Sequence, residues 1–268
     1  MTEDYIINLW KKVGWTSPKE YHNYLISGKE APDDIIGSLL SPDKIDVKTF
    51  WKATDKWFFT DTVANCNNNL GISYSQKEAN YHNHLIPLFL GLYGGVEFAI
   101  FNSKHKFGTA VIAEIGCGYG SFYEHYIKDH KDIHLYTGFD IIPRTQGVVE
   151  IEGNDGSFSE DQITSYKEKF NIFYSCNVFQ HLTETQITNY LKQIYQMLPH
   201  GGFFVFSYTR RPEQGYTYHY GQKIEIMDID YFQQKIVQMG YKIWFNYEQN
   251  KDSDPHGLIP IGIVIEKI

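Results

Sequence analysis

Cysteine is scarce in this chain: Cys66, Cys117 and Cys176 are the three in 268 residues, and no two of them form a Cys-x-x-Cys pair. That scatter argues against a thiolate zinc site or a redox dithiol, and it fits a reducing, cytoplasmic setting. A long Lys/Arg cluster is also missing. With a formal net charge of -8, the chain lacks the basic surface that grips a phosphate backbone, so no nucleic-acid partner is expected. The opening Met1-Thr2-Glu3-Asp4-Tyr5 has neither the basic start nor the apolar core of a secretion signal. The most membrane-like stretch, 85–101, contains Pro87, three glycines and Glu97. It falls short of the roughly 20 apolar residues a membrane span needs, so it reads as a buried helix and no membrane partner is expected. Internal repeats and low-complexity tracts are absent as well.

Aromatic surface is plentiful instead, with 21 Tyr, 18 Phe and 5 Trp making up 16% of the residues. Most of these rings are expected to fill a core, and some to line a pocket for a small polar ligand. The length allows one large α/β domain with an appendage. Residues 1–108 show amphipathic stretches at 3–13 and 76–93, interrupted by Ser17-Pro18, Ala31-Pro32 and Ser41-Pro42. Ser17-Pro18 and Ser41-Pro42 have the form of helix N-caps with proline at the first helical position. A mostly helical N-terminal cap region is therefore expected over 1–108. From 109 to 268 the pattern changes. Strands are expected over 110–115, 133–141, 148–152, 172–177, 203–208, 242–247 and 258–266, with helices over 122–129, 160–170, 184–198 and 230–239. Such alternation points to an α/β fold, a parallel sheet with covering helices. The last two strands follow a single helix and are joined by a polar loop at 248–257, which makes them antiparallel neighbours.

The most informative run is Val111-Ile112-Ala113-Glu114-Ile115-Gly116-Cys117-Gly118-Tyr119-Gly120. It joins a buried-strand pattern to a glycine turn with a carboxylate at its lip, and Phe122, Tyr123, Tyr126 and Ile127 follow at helical spacing. A dinucleotide loop of the Gly-x-Gly-x-x-Gly type wants glycine at 121, where this chain has Ser121. Glu114 would repel a diphosphate, but it suits a cofactor that presents an ammonium and a sulfonium. The run resembles the acid-x-Gly-x-Gly-x-Gly signature of class I S-adenosylmethionine-dependent methyltransferases. That resemblance implies a Rossmann-like, seven-stranded, mostly parallel sheet with an antiparallel C-terminal strand pair, and S-adenosyl-L-methionine as cofactor. It covers 107–208 firmly and the remaining C-terminal part loosely, and it does not reach the N-terminal region.

Site residues carry over position by position. Glu114, Gly116, Cys117, Gly118 and Gly120 would hold the methionine end of the cofactor. Asp140 closes the second strand, where an acid can accept both hydroxyls of a ribose, and the neighbouring Ile141 would cover the adenine ring. Asp155, in Asn154-Asp155-Gly156, would meet the adenine amino group, with an ordinary surface turn as the alternative. Between Asp140 and the next apolar stretch lies only a short link through Pro143-Arg144-Thr145-Gln146, too short for a crossover helix, and here the chain departs from the family pattern. Asn177 and Val178, after the fourth strand, would contact the cofactor beside the transferable methyl.

The acceptor side is read more openly. His181 is the candidate general base, because a neutral imidazole can take a proton from a hydroxyl near operating pH. Its competing role is to pack and cap the next helix, where Thr183-x-x-Gln186 is itself a capping-box pattern. Tyr208, Arg210 and His219 would face the acceptor, with Arg210 either gripping an acidic group or pairing with Glu213 and Glu225 at the surface. The insert over 212–228 is long enough to be a lid. Tyr81, with Tyr74, His82 and His84, would line a cap over the cofactor or belong to the core, Tyr81 being a further candidate for the acceptor side, and no metal is expected because there is no nearby Cys and no fixed third ligand. The expected reaction is in-line methyl transfer to an oxygen or nitrogen of a small-molecule acceptor, a sugar or other hydroxylated metabolite being favoured. A non-catalytic cofactor-binding subunit and a nicotinamide-dependent reductase are the alternatives, and the sequence leaves the oligomeric state open.

Overall fold

The computed structural model describes residues 2–15, 46–59, 86–118, 120, 122–153, 156–210, 215–219, 222–226, 228–248 and 259–268. In chain order the elements are α1 (Glu3–Lys12), α2 (Val47–Thr54), α3 (Ile86–Phe107), β1 (Ala110–Ile115), β2 (Ile133–Asp140), β3 (Val149–Glu150), α4 (Glu160–Tyr166), β4 (Ile172–Ser175), α5 (Glu184–Met197), β5 (Phe203–Arg210), β6 (Gly215–His219), β7 (Gln222–Ile226), α6 (Ile229–Gln238), β8 (Tyr241–Glu248) and β9 (Ile259–Lys267). Seven strands form one sheet in the order β3-β2-β1-β4-β5-β9-β8. The first five run parallel, and β9 is antiparallel to both β5 and β8. This is the mostly parallel sheet with an antiparallel C-terminal pair that the sequence implied.

Central strands are buried on both faces, which is why they read as nearly unbroken apolar runs. Ala110, Ile112, Ile172, Tyr174, Phe203 and Val205 belong to a cluster with Leu92, Val96, Ala99 and Ile100 of α3. On the other face Ala113, Ile115, Phe173, Phe204 and Phe206 pack with residues of α5 and α6. Although α3 lies in the 1–108 segment, its packing is with the sheet: a Cβ on Gly95 would come 2.8 Å from a Val264 methyl. No described helix is long and apolar enough to cross a membrane.

The structure departs from the sequence expectations at several elements. After the glycine loop there is only a π-helical turn, Tyr123–Ile127, in place of a helix over 122–129. Phe122, stacked on Tyr174 with ring centroids 3.9 Å apart, and buried Ile127 pin this short turn to the sheet. The helix expected over 160–170 stops at Tyr166, because Glu168 takes a left-handed φ of 57° and donates its N–H to the Met197 carbonyl at 2.6 Å. β3 shrinks to two residues paired with Phe139 and Asp140. A short connection suffices there because the chain need step back only past the end of β2, and without a crossover helix Leu135 is left 53% exposed. The insert expected as a lid loop contains a hairpin, β6–β7, forming a separate two-stranded sheet. Tyr216 and Tyr218 alternating ahead of Gly221, with Ile224 and Ile226 after it, was the period-two signal for it.

The remaining described N-terminal residues form a small helical unit. Ile6, Trp10, Trp15, Val47, Phe50 and Ala53 are buried, with Trp10 and Phe50 edge to face at 6.2 Å. Asp46 caps α2 by accepting from the Thr49 N–H, and a π-helical turn, Asp55–Phe59, extends the helix. The expected caps at Ser17 and Ser41, and the stretch 76–85, lie outside the described residues.

Candidate active site

The loop leaving β1 is bound to the end of β2 by its own backbone. Gly116 and Cys117 donate their N–H groups to the Phe139 carbonyl at 2.7 and 3.2 Å, and Gly118 donates to Asp140 Oδ2 at 2.8 Å. Gly116 has φ 70°, and a Cβ there would lie 2.2 Å from a Val178 methyl, so both its conformation and its contact require glycine. The loop is thus wedged between the carboxyl ends of β2 and β4. Opposite it, Ser175 Oγ donates to the Ile115 carbonyl at 3.1 Å. Asn177 is held in a left-handed φ of 58°, with its N–H donating to Ser207 Oγ at 2.9 Å. Such a conformation in a non-glycine residue costs energy, and it sharply redirects the chain as it leaves the sheet.

Asp140 is buried at the tip of β2. Its Oδ1 accepts from the Ile142 N–H at 2.9 Å and from Arg144 Nη1 at 3.3 Å, while Oδ2 accepts from Gly118. Burial pushes this carboxyl above its ordinary value, and Arg144 together with the two N–H groups opposes that push. Glu114 is also buried, on the α3 side of β1, and accepts a hydrogen bond from the Tyr136 hydroxyl. Burial, with the Glu114 charge next, drives the Tyr136 phenol far up. Tyr93 is pushed up to about 12 by burial, with Cys176 and Glu114 adding to it. Cys117 lies against Gly138, where a Cβ would sit 2.8 Å from its sulfur, and burial raises its thiol. Raised Tyr93 and Tyr136 phenols therefore stand beside the buried Glu114, while Asp140 is the second buried carboxylate, at the tip of β2.

A roof comes from the N-terminal unit. Lys48 of α2 pairs with Glu150 at 3.0 Å and donates to the Glu152 carbonyl at 3.2 Å, while Val47 closes on Gly156, where a Cβ would lie 3.1 Å away. Asp55 holds Arg144 Nε at 2.8 Å. Further along, Trp51 meets His181 edge to face, ring centroids 5.0 Å apart. His181 sits on a 3-10 turn, Phe179–His181, just before α5, whose N-terminus carries the expected Thr183/Gln186 capping box.

With this geometry in view, comparison with known families is decisive. The methyltransferase domain family matches residues 99–244. The chain belongs to that family. It is an S-adenosylmethionine-dependent methyltransferase, as the glycine loop and its acids implied. The methyltransferase is also similar to solved structures of low identity. Magnesium protoporphyrin IX methyltransferase from Synechocystis, solved with S-adenosylmethionine, is 12% identical, with 84% of this chain and 98% of that one covered and a TM-score of 0.48. The 1,6-didemethyltoxoflavin-N1-methyltransferase of Burkholderia thailandensis, solved with its substrate and S-adenosylhomocysteine, is 13% identical, covering 74% and 92% at a TM-score of 0.45. A search of curated proteins gives no match.

The methyltransferase's residues fit the cofactor. Gly116, Gly118 and Gly120 all have positive φ, turning the loop back over β1, and a buried carboxylate stands beside it at the tip of the next strand. Glu114, Gly116, Cys117, Gly118, Gly120, Asp140, Ile141, Asn177 and Val178 all lie at or beside this carboxyl end of β1, β2 and β4. Tyr208 does not join them. Expected at the acceptor, it is fully buried against Phe232 and Phe206, because its register on β5 turns it to the α6 face. Arg210 ends β5 and His219 ends β6, and Asp155 and Tyr81 lie outside the described residues. Among the described residues no group of three His, Cys, Asp or Glu side chains converges as a metal site. Sequence reading missed Tyr136, Arg144, Lys48, Trp51, Asp55 and Ser207. Arg144 and Tyr136 had a local signal, each four residues from Asp140; the others reach the site across distant parts of the chain.

Proposed function

We propose that this methyltransferase acts on an oxygen or nitrogen of a small-molecule acceptor, a sugar or other hydroxylated metabolite being the favoured class. The observation that carries the reading is the Trp51–His181 contact, which sets an imidazole against an aromatic wall beneath the cap. A ring wall beside a proton-accepting nitrogen suits a small hydroxylated ligand. The net charge of -8 supports a small acceptor over a nucleic acid.

When bound, the sulfonium donor supplies an already electrophilic methyl, so the protein's task is to align, desolvate and accept a proton. Glu114, Gly116, Cys117, Gly118 and Gly120 hold the methionine end in this reading, and Asp140 the ribose. Ile141 and Asp155 bound the adenine, with Asn177 and Val178 beside the reacting methyl. His181 takes the acceptor's proton, and Arg210, His219 and Tyr81 shape the acceptor pocket together with the β6–β7 hairpin. The three dispersed cysteines fit a reducing cytoplasm, and Cys117 and Cys176 form no disulfide among the described residues.

The test is S-adenosylhomocysteine release across hydroxylated, amine and carboxylate acceptors, with His181→Ala alongside. Loss of about 10²-fold or more in turnover is expected if His181 is the base. Turnover within a few-fold of the parent would remove the hydroxyl mechanism. Binding of the sulfonium donor without release under every acceptor would favour a non-catalytic role, and NADH uptake in its place would favour a reductase.

A further inference from the structure

Arg144 joins the helical unit of α1 and α2 to the tip of β2. Its Nε donates to Asp55 at 2.8 Å, its Nη1 to Asp140 at 3.3 Å and to the Ile142 carbonyl at 3.5 Å. The guanidinium side chain is 13% exposed, Asp140 7% and Asp55 30%, so this bridge is partly shielded from water. One carboxylate belongs to the turn that ends the cap, the other to the tip of β2. A planar fork with several fixed N–H groups can serve both at once, which a point-charge ammonium does poorly.

The neighbouring bonds give the bridge a direction. Asp140 Oδ1 already accepts from Ile142 and Arg144, whereas Oδ2 accepts from Gly118 and keeps a lone pair to spare among the described residues. Arg144 therefore fixes the rotation of the carboxylate and leaves Oδ2 for a ligand hydroxyl. The buried residues of α1 and α2 are not part of either cluster that sandwiches the sheet. Among the described residues the Arg144–Asp55 pair, the Lys48 contacts and the Val47 and Trp51 contacts connect the cap to the sheet end.

We propose that Arg144 is a positioning residue that couples seating of the α2 cap to the grip of Asp140 on the ribose, an inference that rests on Asp140 being the ribose carboxylate. By linkage, each event then favours the other by the same free energy. A cap freed from Arg144 leaves the carboxylate less firmly oriented, and a ligand on the carboxylate tightens the cap.

The experiment is calorimetric titration of the full chain with S-adenosylhomocysteine, combined with hydrogen exchange over 47–59 with and without it. Asp55→Asn, Arg144→Lys and the double variant are compared, with Asp55→Glu as the conservative rescue. Each single change is expected to weaken binding about 5-fold or more. The double variant is expected to be no weaker than Arg144→Lys alone, because that change already removes the interaction with Asp55. Ligand-induced protection of 47–59 should vanish in Asp55→Asn, return in Asp55→Glu, and leave thermal unfolding of the sheet unmoved. Asp55→Asn binding as tightly as the parent, or losses that multiply in the double variant, would overturn the coupling. Absence of any uptake by the parent chain would overturn the ribose reading and the coupling with it, a result distinct from uptake indifferent to Asp55.

Discussion

The sheet lies between two continuous hydrophobic clusters, whereas the α1–α2 pair reaches it through Lys48, the Arg144–Asp55 pair and the edge contacts of Val47 and Trp51. Apolar burial is non-directional and sums over many side chains, so it makes the sheet rigid. Ion pairs near the surface contribute little net energy but demand geometry, so they fix where the cap sits without fastening it strongly. A site that must admit and release ligands gains from that division. The carboxyl ends of β1, β2 and β4 are set in the apolar core, while the roof above them is held by contacts that cost less to break.

The most direct way to break this contrast is in the sheet. Phe204→Ala, at a fully buried position, should cost about 3–5 kcal/mol in denaturant unfolding, since it leaves a cavity between β5 and α5. A loss below about 1 kcal/mol would show that the core is not what holds the sheet. Next comes the loop, where Gly116→Ala meets both a φ of 70° and the Val178 methyl. About 1–3 kcal/mol of strain is expected, read as weakened S-adenosylhomocysteine binding that Val178→Ala partly restores; no restoration would mean the contact with β4 is incidental.

Acid should separate binding from stability. Burial raises the Asp140 carboxyl above its ordinary 3.8, so its contribution to the fold is present in acid and is lost as pH rises through the raised value. Ligand binding through the ionised form runs the other way. S-adenosylhomocysteine affinity should therefore fall as pH drops through that raised value, by up to about tenfold per pH unit. Affinity that stays flat as pH is lowered from neutral to the onset of acid unfolding would argue against an ionised Asp140 as the ribose acceptor. The smallest effect belongs to the roof. Lys48→Ala should change unfolding free energy by less than about 1 kcal/mol, because Glu150 is 53% exposed, yet it should raise hydrogen exchange over 47–54. Equal exchange in parent and variant would mean that another contact seats the cap.

Parts of this architecture were legible in the residue order because they depend on local pattern. Continuous apolar runs at 110–115, 172–175 and 203–208 announced strands buried on both sides, and Thr183-x-x-Gln186 announced the start of α5. The hairpin β6–β7 carried an alternating signal of the same kind that a lid-loop reading passed over. Tyr208 was misassigned because strand register, not sequence position, decides which face a side chain occupies, and one step along β5 moves it from one side to the other. The shortened turn after the glycine loop was misread because Phe122, Tyr126 and Ile127 show helical spacing whether or not a full helix follows.

The chain order alone determined the strand–glycine loop–acid arrangement, and with it the family and the cofactor class, since those features lie within thirty or so neighbouring residues and obey local steric and charge rules. Only the tertiary structure decided which distant groups meet at the carboxyl end of the sheet. Asp55 meets Arg144 across 89 positions, and Lys48 meets Glu150 across 102. Such contacts leave no periodic trace in the sequence, because they arise from how separately folded surfaces settle against one another rather than from the spacing of residues along either one.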